Sequence, residues 1–222
     1  KAEETGLENA VIHFVTGEMP QAMCNQVVQQ ISSAAVGDTI TVNMENIVKV
    51  PQEIFASLQN KDVNLWLEFT DGTAWMIHGQ NVSDCGQDVD VSLIRTGKTD
   101  GSIPADVINE ISQNSEGEQI SFSQSGDFGF ETGIQFPVDP SREGTKAVFL
   151  QYENGAFALA GSGVVTNGSV SFDIESGDDY VLLYALNGDV SEDQTVNVVD
   201  LMQVLHHVSG RNEMNVFRQG IA

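Results

Sequence analysis

From Lys146 onward the chain reads as four short apolar runs, "KAVFLQY", "AFALAGSGVV", "SVSFDI" and "DDYVLLYAL", separated by "ENG", "TNG" and "ESGDD". Asn-Gly and Ser-Gly pairs supply the positive φ that tight reversals need, so this spacing predicts antiparallel hairpins rather than strands joined by helical crossovers. The last run passes almost directly into Asn187-Gly188 with no flexible linker, so the segment that follows is expected to sit rigidly on the β region.

Upstream, three stretches share a plan: "MPQAMCNQVVQQI" from Met19, "VPQEIFASL" from Val50 and "IPADVINEI" from Ile103. Each opens on an apolar residue and a proline, a favourable first helical residue, and continues with apolar positions three and four apart, which predicts short amphipathic helices. The three matches are too short to establish an internal duplication. Strand-like runs follow each stretch: "DTITVNM", then "DVNLWLEF" with "GTAWMIHG", then "EQISFSQ" with "FGFETGIQFPV". They are short, alternate in polarity and are linked by "TDGT" and "SGDFG", which argues against a doubly wound parallel sheet. The expected fold class is therefore α+β: an antiparallel β-rich module over residues 1–186 with short Pro-led amphipathic helices, divisible into subdomains of about 1–100 and 101–186, and a separate C-terminal segment at 187–222.

Net charge is −23, from 32 acidic and nine basic residues, and Arg142 and Lys146 are the only cations between Gly101 and Asp200. A surface of that sign repels phosphate backbones and anionic lipid, which sets aside nucleic-acid and membrane-surface roles and favours a cation as partner. No apolar run approaches the roughly 18–20 residues of a spanning helix, so no membrane insertion is expected, and "KAEETGLENA" has no signal-peptide core. Cys24 and Cys85 are too few for a disulfide framework and lack zinc spacing. Cys24 falls on an apolar helix face, which reads first as a small buried hydrophobe and second as one end of a bridge to Cys85.

Residues 189–200, "DVSEDQTVNVVD", carry the clearest chemistry. Calcium takes six to eight oxygen ligands, and a twelve-residue loop supplies them from positions 1, 3, 5, 7, 9 and 12, position 7 through its carbonyl. Counted from Asp189, these are Asp189, Ser191, Asp193, Thr195, Asn197 and Asp200, so every side-chain slot bears oxygen. Val196 stands where such a loop packs an apolar residue inward. "LMQVLHHV" follows, with Leu201, Val204, Leu205 and Val208 at helical spacing. The alternative is a polar turn before a helix, with Asp200 as an anion at the helix start. Gln194 at position 6 and Ser191 at position 3 weaken the cation site: the first must take a left-handed conformation without being glycine, at about 1–2 kcal/mol, and the second replaces a carboxylate with a neutral hydroxyl.

Gly-Asp before the loop, Asp at position 12 and a helix only after it resemble the first half of a dockerin, over Asn187 to about Gly210. The resemblance implies an EF-hand-like loop-helix binding Ca2+ and a cohesin domain of a scaffold as partner. Family members contact the cohesin through positions 10 and 11 and the following helix face, here Val198, Val199, His206, His207 and Arg211; a solvated helix face is the alternative for the two histidines. By the family pattern a second loop is expected beyond Ala222. The region from about Asn46 to Tyr184, through "DGTAWMIHG" and "SGDFGF", is similar to modules of exported Firmicute surface proteins, which implies an extracellular or cell-surface setting. Without a second segment, the stripe 201/204/205/208 needs cover. It either folds back on the module with Met214, Val216 and Phe217, the option favoured here, or pairs in a calcium-dependent homodimer.

No catalytic motif surrounds His13, His78, His206 or His207, and Asp127-Phe128-Gly129 has none of the companion segments of a kinase and reads as a turn feeding a strand. The chain is read as non-catalytic. A second reading makes it a carbohydrate-binding or polysaccharide-degrading accessory module. Trp66 is its candidate glycan contact, because Val63, Leu65, Leu67 and Phe69 mark the apolar face of that strand and leave Trp66 on the other, there to stack a sugar or to lie under a helix. Trp75 reads as core.

Overall fold

A computed structural model of the chain describes residues 17–83, 86–112 and 115–222, so His13 and Cys85 lie outside the described residues. In chain order the elements are α1 (Gln21–Ser33), β1 (Thr39–Asn43), β2 (Lys49–Val50), α2 (Gln52–Leu58), β3 (Asn64–Glu68), β4 (Ala74–Val82), β5 (Val89–Asp90), β6 (Leu93–Gly97), α3 (Ala105–Ile111), β7 (Glu116–Pro137), β8 (Lys146–Glu153), β9 (Ala156–Val164), β10 (Ser169–Ala185), α4 (Val198–Val208) and α5 (Val216–Ile221). The fold is a β-rich, largely antiparallel sheet with a few short helices, an α+β arrangement. Its strand path is β1-β3-β4-β7-β10-β8-β9, with β6 also paired to β7 and a separate β2-β5 ladder. One pair, β1 with β3, is parallel, and α2 lies in its crossover.

The three Pro-led helices form where their spacing predicts. Pro20, Pro51 and Pro104 each stand one residue before the first helical turn, with extended ψ of 138°, 144° and 133°. None of these helices has a side-chain cap. Proline suits the position because its φ is preset and it has no N–H to leave unpaired. Cys24, Val27 and Ile31 of α1, and Ile54, Phe55 and Leu58 of α2, bury against Leu65 and Leu67 of β3 and against Trp75 and Ile77 of β4. Cys24 is a free thiol inside this core, raised above the ordinary thiol range chiefly by burial.

Two expected reversals are not reversals. "SGDFG" lies within β7 and "ESGDD" within β10, and the two strands pair antiparallel along their lengths, with Ser176 opposite Asp127 and Gly177 opposite Gly126. Glycine-bearing segments read singly as turns; placed opposite each other in one ladder, they bend it instead. Between Ile174 and Ser176, and again between Gly177 and Asp179, β10 advances two residues while β7 advances five, from Thr132 to Asp127 and from Gly126 to Ser121. The first surplus stretch bulges out of β7 with Gly129 at φ 83° and carries Phe128 and Phe130 into the core, and the paired Gly126, at φ 82°, stands between it and the second. A side chain at Gly177 would collide with the carbonyl oxygen of Gln124. The "ENG" and "TNG" signals do reverse the chain: Asn154 and Asn167 have φ 52° and 54°, with Gly155 and Gly168 following at 82° and 69°.

The bend folds the sheet onto itself. Phe149 of β8 is in register with Leu182, yet its ring stacks on Phe172, ten residues earlier in β10, at 4.8 Å between centroids. Ten extended residues span about 33 Å, so β10 must turn back between them. Phe149 also stacks on Tyr180 at 4.6 Å, and Phe122 of β7 meets Trp75 edge-on at 5.8 Å, closing an aromatic core between the two layers. The outer face of β8 and β10 carries a second core: Val148, Leu150, Val181 and Leu183 are covered by Ile103, Ile108, Val190, Met214, Phe217 and Ile221. Burial on both faces explains why these strands read as continuous apolar runs.

Candidate metal centre

The loop after β10 is built by carboxylates that accept from its own backbone. Asp189 is buried and accepts from the N–H groups of Asp193 at 3.1 Å and Gln194 at 2.7 Å, and from the Ser191 hydroxyl at 3.3 Å. Asp200, also buried, accepts from Ser191 N–H and Asn197 N–H, both at 2.8 Å. Ser191 thus touches both carboxylates, one through its hydroxyl and one through its amide, which draws positions 1 and 12 to one side of the loop. Asp193 accepts from Thr195 N–H at 2.9 Å, and the Asn197 amide donates to the Thr195 carbonyl at 3.2 Å. Glu192 and Gln194 are left-handed, at φ 62° and 67°, so the strain expected at Gln194 is present and a second strained residue joins it.

Asn197 also caps α4 by accepting from Val199 N–H at 2.7 Å, and with Asp200 it completes a capping box. The N–H of Asn197 above all, together with that of Ser191, holds the Asp200 carboxyl below the ordinary carboxylate range, against the opposing pull of burial. A depressed pKa stabilises the fold at pH values above the unfolded carboxylate pKa of about 3.9, and that stability is lost as pH falls through the lower folded value. Acid titration followed by amide exchange is therefore expected to leave the loop protected at about pH 5 and to release it only below about pH 4; release already near neutral pH would contradict this.

Among the described residues, no group of three or more His, Cys, Asp or Glu side chains is arranged to hold a metal ion. The donor chemistry of the loop nonetheless fits a hard cation. All its candidate groups are oxygens, and a carboxylate has about four acceptor positions, so Asp189 and Asp200 keep acceptor capacity beyond the N–H groups they already take. Relieving the strained position is expected to sharpen any such site: Gln194→Gly removes about 1–2 kcal/mol of left-handed strain. The substitution should raise loop stability and calcium affinity together, read by calorimetry, and an unchanged affinity would show that the strain is not coupled to the ion.

Beyond the loop, the placement departs from expectation in two respects. Val196 is not packed inward; it is 53% exposed and lies against Gly188. The stripe of α4 does not fold back either: Leu201, Leu205 and Val208 are 65%, 53% and 77% exposed, and only Val204 touches the second core. Asp200 is the cause. It must point inward to reach two backbone N–H groups, and this fixes the rotation of α4, so Val204 and His207 follow Asp200 inward and the 201/205/208 row turns out. Met214 and Phe217 do bury against the module, as expected, with Val216 partly covered. Val198, Val199 and Arg211 are exposed and His206 is half-buried. The His207 ring accepts from Met214 N–H at 3.3 Å, a contact that ties the end of α4 to the chain leading into α5.

Trp66 sits on the face of β3 opposite the buried Leu65 and Leu67, level with Thr41 of β1 and Met76 of β4. It belongs to neither core cluster, and α1 and α2 bury their apolar faces with Leu65 and Leu67 on the other side. It is half-buried, and its indole N–H is buried without a hydrogen-bond partner among the described residues. Beside it, Asn64 and His78 are joined at 2.9 Å.

No protein-family model matches the chain, and no curated protein matches it. Among solved structures, a likeness is found to one described as GH31 CBM32-2 bound to GalNAc, at 17% identity, over 50% of this chain and 72% of that one, with a TM-score of 0.24. A superposition this shallow carries no argument about fold or function.

Proposed function

We propose that the chain is a non-catalytic extracellular or cell-surface module whose C-terminal loop-helix, of EF-hand-like dockerin type, binds Ca2+ and docks onto a cohesin domain of a scaffold. One observation carries the reading. Asp189 and Asp200 are linked through Ser191 in a loop whose side-chain slots all bear oxygen, and the helix that leaves this loop keeps its apolar row in solvent. A contiguous exposed apolar surface on a chain of net charge −23 is a feature of a docking site. Val198, Val199, Leu201 and Leu205, with Arg211 at the rim, are its contact residues. Calcium would offset two of the three negative charges of Asp189, Asp193 and Asp200 beside that surface. Surface plasmon resonance against cohesins, run with calcium and with chelator, tests the reading; binding that ignores calcium, or no binding to any cohesin of the same organism, overturns it. A calcium-dependent dimer in sedimentation would assign the same surface to a second copy instead.

A second reading, glycan binding by the β module with the loop purely structural, is favoured by the position of Trp66 on a face that α1 and α2 leave uncovered. Under it, affinity electrophoresis on plant and host glycans shows retardation that Trp66→Ala reduces at least tenfold, as loss of a stacked aromatic anchor does. Absence of retardation on every glycan removes this reading.

A further inference from the structure

Glu192 stands at position 4 of the loop, where the twelve-residue scheme assigns no ligand, and yet its side chain is only 11% exposed. It pairs with Arg218 of α5, Nε to Oε1 at 3.1 Å, and accepts from the Ser112 hydroxyl, at the end of α3, at 3.2 Å. One carboxylate thereby joins three parts of the chain: the loop, α3 and α5. Its neighbours reinforce the junction, since the Asn215 amide donates to the Ile111 carbonyl at 2.9 Å and the Asn215 side chain caps α5 by accepting from Arg218 N–H, also at 2.9 Å.

Open clefts flank this junction, one of about 220 Å³ that reaches Arg142, Tyr184 and Asp189, the other of about 260 Å³ lined by Glu110, Ser191, Asn215 and Arg218. At Glu192 the loop therefore meets α3 and α5 through polar contacts with open space on both sides, while Val190, two residues earlier, anchors it in the second core. Between loop and α5 lies α4, which has no extensive packing partner among the described elements. Its position is set by Asp200 at its start, by Val204 against the second core and by the bond from Met214 N–H to His207 at its end.

We propose that Glu192 is a positioning residue that transmits the cation state of the loop to α5, and so sets how firmly α4 is presented to its partner. The inference rests on the calcium reading of the loop. Closure around an ion fixes the left-handed turn at Glu192, holds its carboxylate on Arg218 and clamps α5 to β8. Without the ion, the carboxylates at positions 1, 5 and 12 repel, the turn loosens and the clamp weakens.

Hydrogen exchange on the whole chain, with calcium and with chelator, tests this alongside calorimetry on the same samples. In the native chain, calcium is expected to slow exchange across Val216–Ile221 about tenfold, the effect of restoring one charge-assisted hydrogen bond. In Glu192→Gln the loop should still take up calcium while the response of α5 disappears, and the charge exchange Glu192→Arg with Arg218→Glu should restore much of it. An α5 response in Glu192→Gln equal to the native one overturns the proposal. Calcium uptake by the native chain with no change in α5 sinks the coupling alone, whereas no uptake at all removes the calcium reading and the coupling with it.

Discussion

Phe149→Ala is expected to lower the stability of the whole fold by about 3–5 kcal/mol, the range for truncating a fully buried aromatic. Phe149 is completely buried, stacks on Phe172 and Tyr180 and tilts against Phe136, so it is the ring through which the two halves of the bent β10 meet. Its loss leaves a cavity between layers that cannot collapse without straightening the bend. Denaturant unfolding should show a lower midpoint with an unchanged slope. Phe157→Ala is the control: that ring is only half-buried and leans on Tyr152, and its removal should cost about 1 kcal/mol. Equal effects of the two substitutions would contradict a core organised around Phe149.

Phe217→Ala should have a comparable local effect, about 3–5 kcal/mol, but confined to the C-terminal segment. A six-residue helix cannot hold itself in water, so α5 persists only while Phe217 and Ile221 are buried against Val148 and Leu150. The approach is close: a Cβ on Gly220 would lie 2.5 Å from the nearer Val148 methyl. With Phe217 truncated, amides from Asn215 to Ile221 should lose protection while those of β7 and β10 keep theirs. Loss of protection spread evenly over the chain would show instead that the segment and the module unfold as one unit.

Local chemistry made much of this legible from the residues. Proline followed by apolar positions three and four apart located α1, α2 and α3, and Asn-Gly pairs located the turns after β8 and β9. "SGDFG" and "ESGDD" misled for the same reason: a glycine-rich segment states that the chain can bend, but whether it reverses depends on what lies across from it, and here each lies across from the other. In the loop, oxygen spacing singled out Asp189, Ser191, Asp193, Thr195, Asn197 and Asp200 as candidate ligands; what the structure adds is the hydrogen bonding of Asp189 and Asp200 to the loop backbone and the positive φ of Gln194. The orientation of α4 did not follow from its periodicity, because the amphipathic row says which side is apolar and not which side is buried. Asp200 decides that, through two backbone N–H groups. Glu192 was invisible for a related reason: its partners Ser112 and Arg218 are 80 and 26 residues away, and no local pattern marks such a junction.

Calorimetric titration of the chain with calcium, beside the Asp189→Ala variant, decides whether this is a calcium-conditioned docking loop, because the variant removes the carboxylate that accepts from Ser191, Asp193 and Gln194. Saturable uptake of a single ion by the native chain and none by the variant is expected, with both retaining the β-sheet signal in circular dichroism. No uptake by the native chain, or uptake that Asp189→Ala leaves unchanged, would contradict the calcium reading.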